Sequence, residues 1–167
     1  MLHKIWRSSQ FSNRTKLRIF NSNVKSVLLY GCETWRTTLE LTRQLQVFVN
    51  KCLRRIIRIY WPETISNEAL LQTTQQEPIE TVIKRRKWRW IGHTLRKPNA
   101  SICKQALDWT PAGKRKKGRP KTTWRRSVLN EAEAAQKNWS QIKLLAKNRD
   151  DWRNFVEALC STRNYRN

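Results

Sequence analysis

From Lys84 to Lys97 the chain runs KRRKWRWIGHTLRK, in which seven of fourteen residues are Lys or Arg, two are Trp and none is acidic. Its flanks predict the local structure. Glu77-Pro78 supplies a helix start, because Pro lacks the N–H that the first helical position would leave unbonded and a carboxylate there complements the macrodipole. Glu80 adds to that, Arg96 and Lys97 sit at the favourable end, and Pro98 closes the segment. The expected helix runs from Glu77 to Lys97. At about 100° per residue, Ile79, Ile83, Trp88, Trp90, Ile91, Thr94 and Leu95 spread over a broad apolar side. Arg85, Arg89 and Arg96 fall in a narrow sector opposite, flanked by Arg86 and His93. Guanidinium forks match phosphate oxygens, so this row can follow a phosphate backbone. The plainer alternative is a solvated face whose partners lie elsewhere in the chain.

Composition favours the first reading. Lys and Arg number 35 against 12 Asp plus Glu, a formal net charge of +23 in 167 residues. Such a surplus repels itself in a compact chain, so a polyanionic partner is its expected reason. No uninterrupted apolar span is long enough for a bilayer, and residues 1–10 lack a signal-peptide pattern, so a soluble protein is expected. The length suits one or two small domains, and 38% hydrophobic content with nine Trp suffices for a modest core. Four Gly and five Pro force few turns, which favours helices. Cys32, Cys52, Cys103 and Cys160 stand far apart without knuckle spacing and read as reduced thiols rather than a zinc site or a disulfide frame.

Other helices follow from periodicity. After a short basic lead, Ser12 or Asn13 can cap a helix to about Tyr30, with Leu17, Phe20, Val24, Val27, Leu28 and Gly31 on one stripe and Lys16, Arg18 and Lys25 outside it. Gly31 marks its end. Thr37 or Thr38 opens a longer helix to about Tyr60. There Leu41, Leu45, Phe48, Val49, Cys52, Leu53, Ile56, Ile59 and Tyr60 cover one side, while Arg43, Lys51, Arg54 and Arg58 gather on the other. The apolar stripe reads as core in a helical hairpin. Trp61-Pro62 ends that helix, and Ser66 starts a short one through Leu71. Asn99 or Ser101 can cap another over residues 100–107, where a strand is the alternative reading.

Lys114-Arg-Lys-Lys-Gly-Arg-Pro-Lys121 follows as the most exposed-looking stretch. Its candidates, Lys114, Arg115, Lys116, Lys117, Arg119 and Lys121, fit three readings: a basic loop on phosphates, a nuclear-import signal, or a minor-groove hook centred on Gly118-Arg119-Pro120. Thr122 or Thr123 can cap the next helix, with Trp124, Val128, Leu129, Ala132 and Ala135 buried. Arg125 and Arg126 lie at the wrong end of its dipole, a misplacement that a bound phosphate would relieve. Ser140 is the expected start of a helix bearing Ile142, Leu144 and Leu145. Asn148 with Asp151 resembles a capping box that opens the last helix, to about Cys160, which explains the paired acids Asp150-Asp151 without a metal.

Several of these blocks, taken in order, resemble a known family. Leu28-Leu-Tyr-Gly-Cys-Glu-Thr-Trp35, Arg54-Arg-Ile-Ile to Ile65-Ser-Asn67, Lys87-Trp-Arg-Trp-Ile-Gly-His-Thr-Leu-Arg96, Gly113-Lys-Arg-Lys-Lys-Gly-Arg-Pro-Lys-Thr-Thr-Trp-Arg-Arg126 and Arg149-Asp-Asp-Trp-Arg153 are similar to the region C-terminal to the palm in reverse transcriptases of non-LTR (LINE-type) retrotransposons. The resemblance implies a thumb-like helical region over about 1–61 that grips template and primer, basic linker helices over 62–109, a basic loop over 110–121 and C-terminal helices over 122–167. The family's chemistry rests on palm aspartates that bind magnesium, in an aromatic-x-Asp-Asp motif that this chain lacks.

The expectation is therefore an all-α protein of seven or so helices in two groups, joined across a basic loop, with no enzymatic activity of its own and no cofactor. Its partner would be nucleic acid, whether RNA, DNA or their hybrid, with a polymerase palm as a further partner, no membrane and no small-molecule substrate. A nuclear location follows from the import-like run, with the cytoplasm as the alternative. The residues expected to carry binding are Arg85, Arg86, Arg89, Arg96 and Lys97, the basic loop, Arg125 and Arg126, and then Arg54 and Arg58. Two alternatives stand beside it: a polymerase segment active only when joined to a palm, and a decayed element fragment.

Overall fold

A computed structural model describes residues 2–109, 118 and 123–161. Among these, every regular element is helical and none is a strand, so the all-α expectation holds. The chain divides into two compact units, residues 1–32 with 37–83 and residues 33–36 with 84–167.

The first unit begins with α1 (Leu2–Arg7) and α2 (Asn13–Ile19), the latter capped by Ser12, whose hydroxyl accepts from the Thr15 N–H. The helix then widens into a π-helical stretch, Phe20–Lys25, before α3 (Ser26–Leu28). Widening to i→i+5 turns advances the chain by an extra residue per turn and shifts every later side chain around the axis. The apolar stripe breaks accordingly. Val27, expected inside, is 74% exposed, and Leu29 is buried in its place. Lys16, expected outside, is buried instead because α2 packs against α4 (Leu39–Ile57).

Thr38 caps α4, which buries Val49, Leu53 and Ile56. Phe48 and Tyr60, expected on that stripe, are 44% and 55% exposed. The helix has already turned at Arg58, which adopts the left-handed conformation (φ 62°), so residues beyond it leave the helical phase. Ser66 caps α5 (Asn67–Thr73), which ends in the same way at Gln75 (φ 50°). There the Gln76 N–H donates to Leu71 O at 2.9 Å, a Schellman closure made without glycine.

The helix expected from Glu77 to Lys97 is α6 (Ile79–Leu95). Its first residues belong to the first unit, where the Ile79 N–H donates to Gln46 Oε1 at 2.7 Å and so satisfies one of the orphan amides of the helix start.

In the second unit, the rest of α6 packs with α7 (Ile102–Asp108), α8 (Trp124–Ala134), α9 (Trp139–Leu145) and α10 (Arg149–Ser161). Trp88, Ile91, Val128, Ile142, Trp152 and Val156 form the centre of its core. Trp88 meets Phe155 edge-on at 5.5 Å and lies 5.9 Å from Trp152. Thr123 caps α8 as expected. The cap of α9 is Asn138 rather than Ser140, because Asn138 and Gln141 form a reciprocal capping box; Leu144, expected inside, is 66% exposed. Asn148 accepts from the Asp150 N–H at 2.9 Å, so the paired acids open α10.

Candidate nucleic-acid interface

The arginines of α6 meet carboxylates and carbonyls of their own unit. Arg85 and Arg89, one helical turn apart, both reach Glu157 on α10, at 3.4 Å and 3.2 Å. Arg85 is mostly covered, whereas the Arg89 side chain remains 63% exposed. Arg96 donates to Ala146 O at 3.0 Å, at the end of α9, where the last carbonyls of a helix favour a cation. Burial, and next the charge of Arg149, pull its guanidinium below the ordinary value. Arg86 and Lys97 are half-buried. Buried Lys87 pairs with Glu131 on α8 at 2.5 Å, and the Trp88 indole N–H donates to the other oxygen of that carboxylate at 2.6 Å. The row that the helical projection places opposite the apolar side is thus largely held by α9 and α10, with Arg89 its most exposed member.

Arg125 and Arg126 stand at the start of α8, the first half-buried and the second exposed. Arg125 lies near Asp108, whose carboxylate accepts from Lys143 (2.7 Å) and from the Trp139 indole (2.9 Å). Burial raises the Asp108 pKa, but the hydrogen bonds from Lys143 and Trp139 and the charges of Lys143 and Arg125 outweigh it and leave the carboxyl below its ordinary value. Lys114, Arg115, Lys116, Lys117, Arg119 and Lys121 lie outside the described residues.

A second basic surface lies on α4 in the first unit. Val47, Asn50, Lys51, Arg54, Arg55, Ile59, Tyr60 and Asn67 line a cleft of about 430 Å³ that contains three cations and no carboxylate. Among the described residues, Lys51 and Arg55 have no ion-pair partner. Arg54 is held in place, donating to Ile65 O at 3.1 Å and to Asn67 Oδ1 at 2.9 Å. Arg58 is not among the lining residues, and its guanidinium donates to Arg7 O at 2.6 Å, at the end of α1. The cleft also touches Cys52 electrostatically. Burial pushes that thiol up, against the opposing charges of Arg55 and Lys51.

A chain of side-chain amides underlies the cleft. Gln46 Nε2 donates to Asn50 Oδ1 at 2.8 Å, and Asn50 Nδ2 donates to Asn67 Oδ1 at 3.0 Å. The chain links α4, the start of α6 and α5, and so sets the cleft wall across residues far apart in sequence.

Sequence reasoning places Arg54 on this basic face but passes over Arg55, Tyr60 and Asn67. Arg55 was legible, since it lies one turn from Lys51. Tyr60 and Asn67 were not, because the turn at Arg58 and the loop to Ser66 decide where they stand. Among the described residues no group of three or more His, Cys, Asp or Glu is placed to hold a metal. No helix among them is long and apolar enough to cross a membrane.

The profile of a family described as a domain of unknown function (DUF6451) matches residues 1–30. Over 150 residues the chain is 25% identical to an uncharacterized transposon-derived protein of Caenorhabditis elegans, a match that covers 83% of this chain and 53% of that protein. The chain thus spans about half the length of this curated relative, and the similarity supports a transposon-related origin. No solved structure matches.

Proposed function

We propose that this protein binds nucleic acid, without catalysis of its own, as a C-terminal segment of the kind that follows the palm in LINE-type reverse transcriptases. The observation that carries this reading is the α4 cleft, where Lys51, Arg54 and Arg55 gather around one concave surface with no carboxylate among the lining residues. Phosphate is the natural complement of such a surface, and release of condensed counterions supplies the free energy. Arg89 and Arg126 extend the exposed basic surface of the second unit. A second reading, in which the same surfaces serve a longer polymerase polypeptide, draws on the relative of which the chain spans about half.

Fluorescence anisotropy with matched single-stranded RNA, duplex DNA and RNA–DNA hybrid across a salt series tests the proposal. Affinity should fall linearly on a log–log plot with salt, at about 0.7 to 0.9 per phosphate contacted. Lys51→Glu with Arg55→Glu should weaken binding and make that slope shallower by roughly 1.4 to 1.8. Absence of binding at low salt, or a slope unchanged in the double variant, would remove the α4 surface from any such role.

A further inference from the structure

The cleft on α4 has a fixed chemical polarity, and its origin is a single backbone amide. The Ile79 N–H can only donate, so the Gln46 atom it meets is the carbonyl oxygen. Gln46 therefore turns its NH₂ group to Asn50, which accepts at Oδ1 and turns its own NH₂ group to Asn67. Asn67 Oδ1 receives that hydrogen bond and a second from Arg54 Nη2, a group that also can only donate. Both ends of the relay thus impose the same sense. The remaining group of Asn67 is its NH₂, and among the described residues it has no partner. Asn67 is exposed and lines the cleft, as do Lys51 and Arg55. The polar groups that these three residues present are donors, so the wall selects a ligand rich in acceptors.

Tyr60 adds a different element to the same wall. Tyr60 lines the cleft and is 55% exposed, although it belongs by pattern to the buried stripe of α4. A flat ring beside a set of donors and cations matches one nucleotide unit, with the phosphate on the donors and the base stacked on the ring. A base inside a duplex has both faces covered by its neighbours and cannot stack in this way, so the fit is to an unpaired nucleotide. The cleft volume, about 430 Å³, falls in the range of roughly 300 to 1,000 Å³ typical of small-ligand sites.

We infer that the cleft formed by Lys51, Arg55, Tyr60 and Asn67 holds an unpaired nucleotide of a single strand, with its acceptors on the Asn67 amide and the two cations and its base on Tyr60. This rests on the nucleic-acid reading above and names the ligand of that same site.

The test uses the full chain with a 12-nucleotide single strand, a hairpin duplex of matched sequence, and a nucleoside monophosphate as competitor. The parent should prefer the single strand over the duplex at elevated salt, where generic phosphate attraction is screened. Tyr60→Ser should reduce single-strand affinity by about tenfold and abolish the preference, while Tyr60→Phe, which keeps the ring, should restore it. Asn67→Asp replaces the outward donors by an acceptor and should weaken single-strand binding more than Ser9→Asp, which makes the same charge change on an exposed turn. Circular dichroism establishes that each variant is folded; a variant that loses its helical signal is replaced by Asn67→Ser or Tyr60→Ala. Binding to the single strand and the duplex with equal affinity, or cleft variants that bind like the parent, would overturn the cleft assignment while leaving nucleic-acid binding in place. A monophosphate that competes at the strand's own dissociation constant would overturn the assignment to a strand in favour of a free nucleotide. A parent that binds none of the probes would overturn both readings.

Discussion

Gly92 shows how much one missing side chain can decide. Within a helix, glycine weakens stability by about 1 kcal/mol relative to alanine, so its place in the middle of α6 is unfavourable on propensity. The tertiary contact reverses that balance: the Trp152 indole lies where a Cβ at Gly92 would be and donates to Trp88 O at 3.2 Å. Gly92→Ala is expected to lower stability by about 1–3 kcal/mol in urea denaturation, against the sign that propensity gives. Asp108 offers a second case. A carboxyl held below its ordinary pKa contributes stability that is complete above the unfolded value near 4 and is lost as pH falls through the lower folded value. Asp108→Asn should therefore melt below the parent at pH 7, and the difference should narrow as the pH falls below the unfolded value near 4.

Among the elements, α6 and α8 are joined by a polar contact whose cation is buried. Glu131 holds both the buried Lys87 ammonium and the Trp88 indole, and without it a charge with its stem in the core would have no counterion. Glu131→Ala is expected to destabilise the protein by about 3 kcal/mol, with Lys87→Met in the same chain recovering most of the loss, read from thermal melts of the single and double variants. Helix beginnings were legible at this scale, because Ser12, Thr38, Ser66 and Thr123 each accept a hydrogen bond from the first turn, as their side-chain chemistry predicts. Helix ends were less so. Arg58, Gln75 and Gln136 take the left-handed conformation usually left to glycine, and a chain with four Gly in all gives no sign of these stops. The π-helical stretch is likewise silent in the pattern, and it is what turned Val27 outward.

For the whole molecule the charge of +23 sets the terms. Among the described residues Asp108, Glu131 and Glu157 each hold cations of their own unit, which leaves few acids to offset the rest. Exposed like charges repel across the surface and are screened by salt, while the partly buried pairs are screened much less. The melting temperature is therefore expected to rise with ionic strength, and to rise at low salt when an inert polyanion such as heparin is added. A melting temperature that falls with salt would mean that attractive ion pairs outweigh the repulsion.

Three properties were determined by the sequence itself: the helical class, the placement of most helix starts, and the large net positive charge. Each rests on short-range chemistry, namely the period of apolar residues, a hydroxyl or amide one turn from the N–H it accepts, and an excess of charge that no arrangement of so few acids can cancel. The tertiary structure alone decided which cations remain available. Glu157 stands sixty-eight residues from Arg89, and this distant carboxylate draws on the row that the helical projection displays as uniform. It also decided the cleft, because Gln46, Asn50, Asn67 and Ile79 take their hydrogen-bonding sense from one another across three helices, and no local pattern along the chain encodes that order.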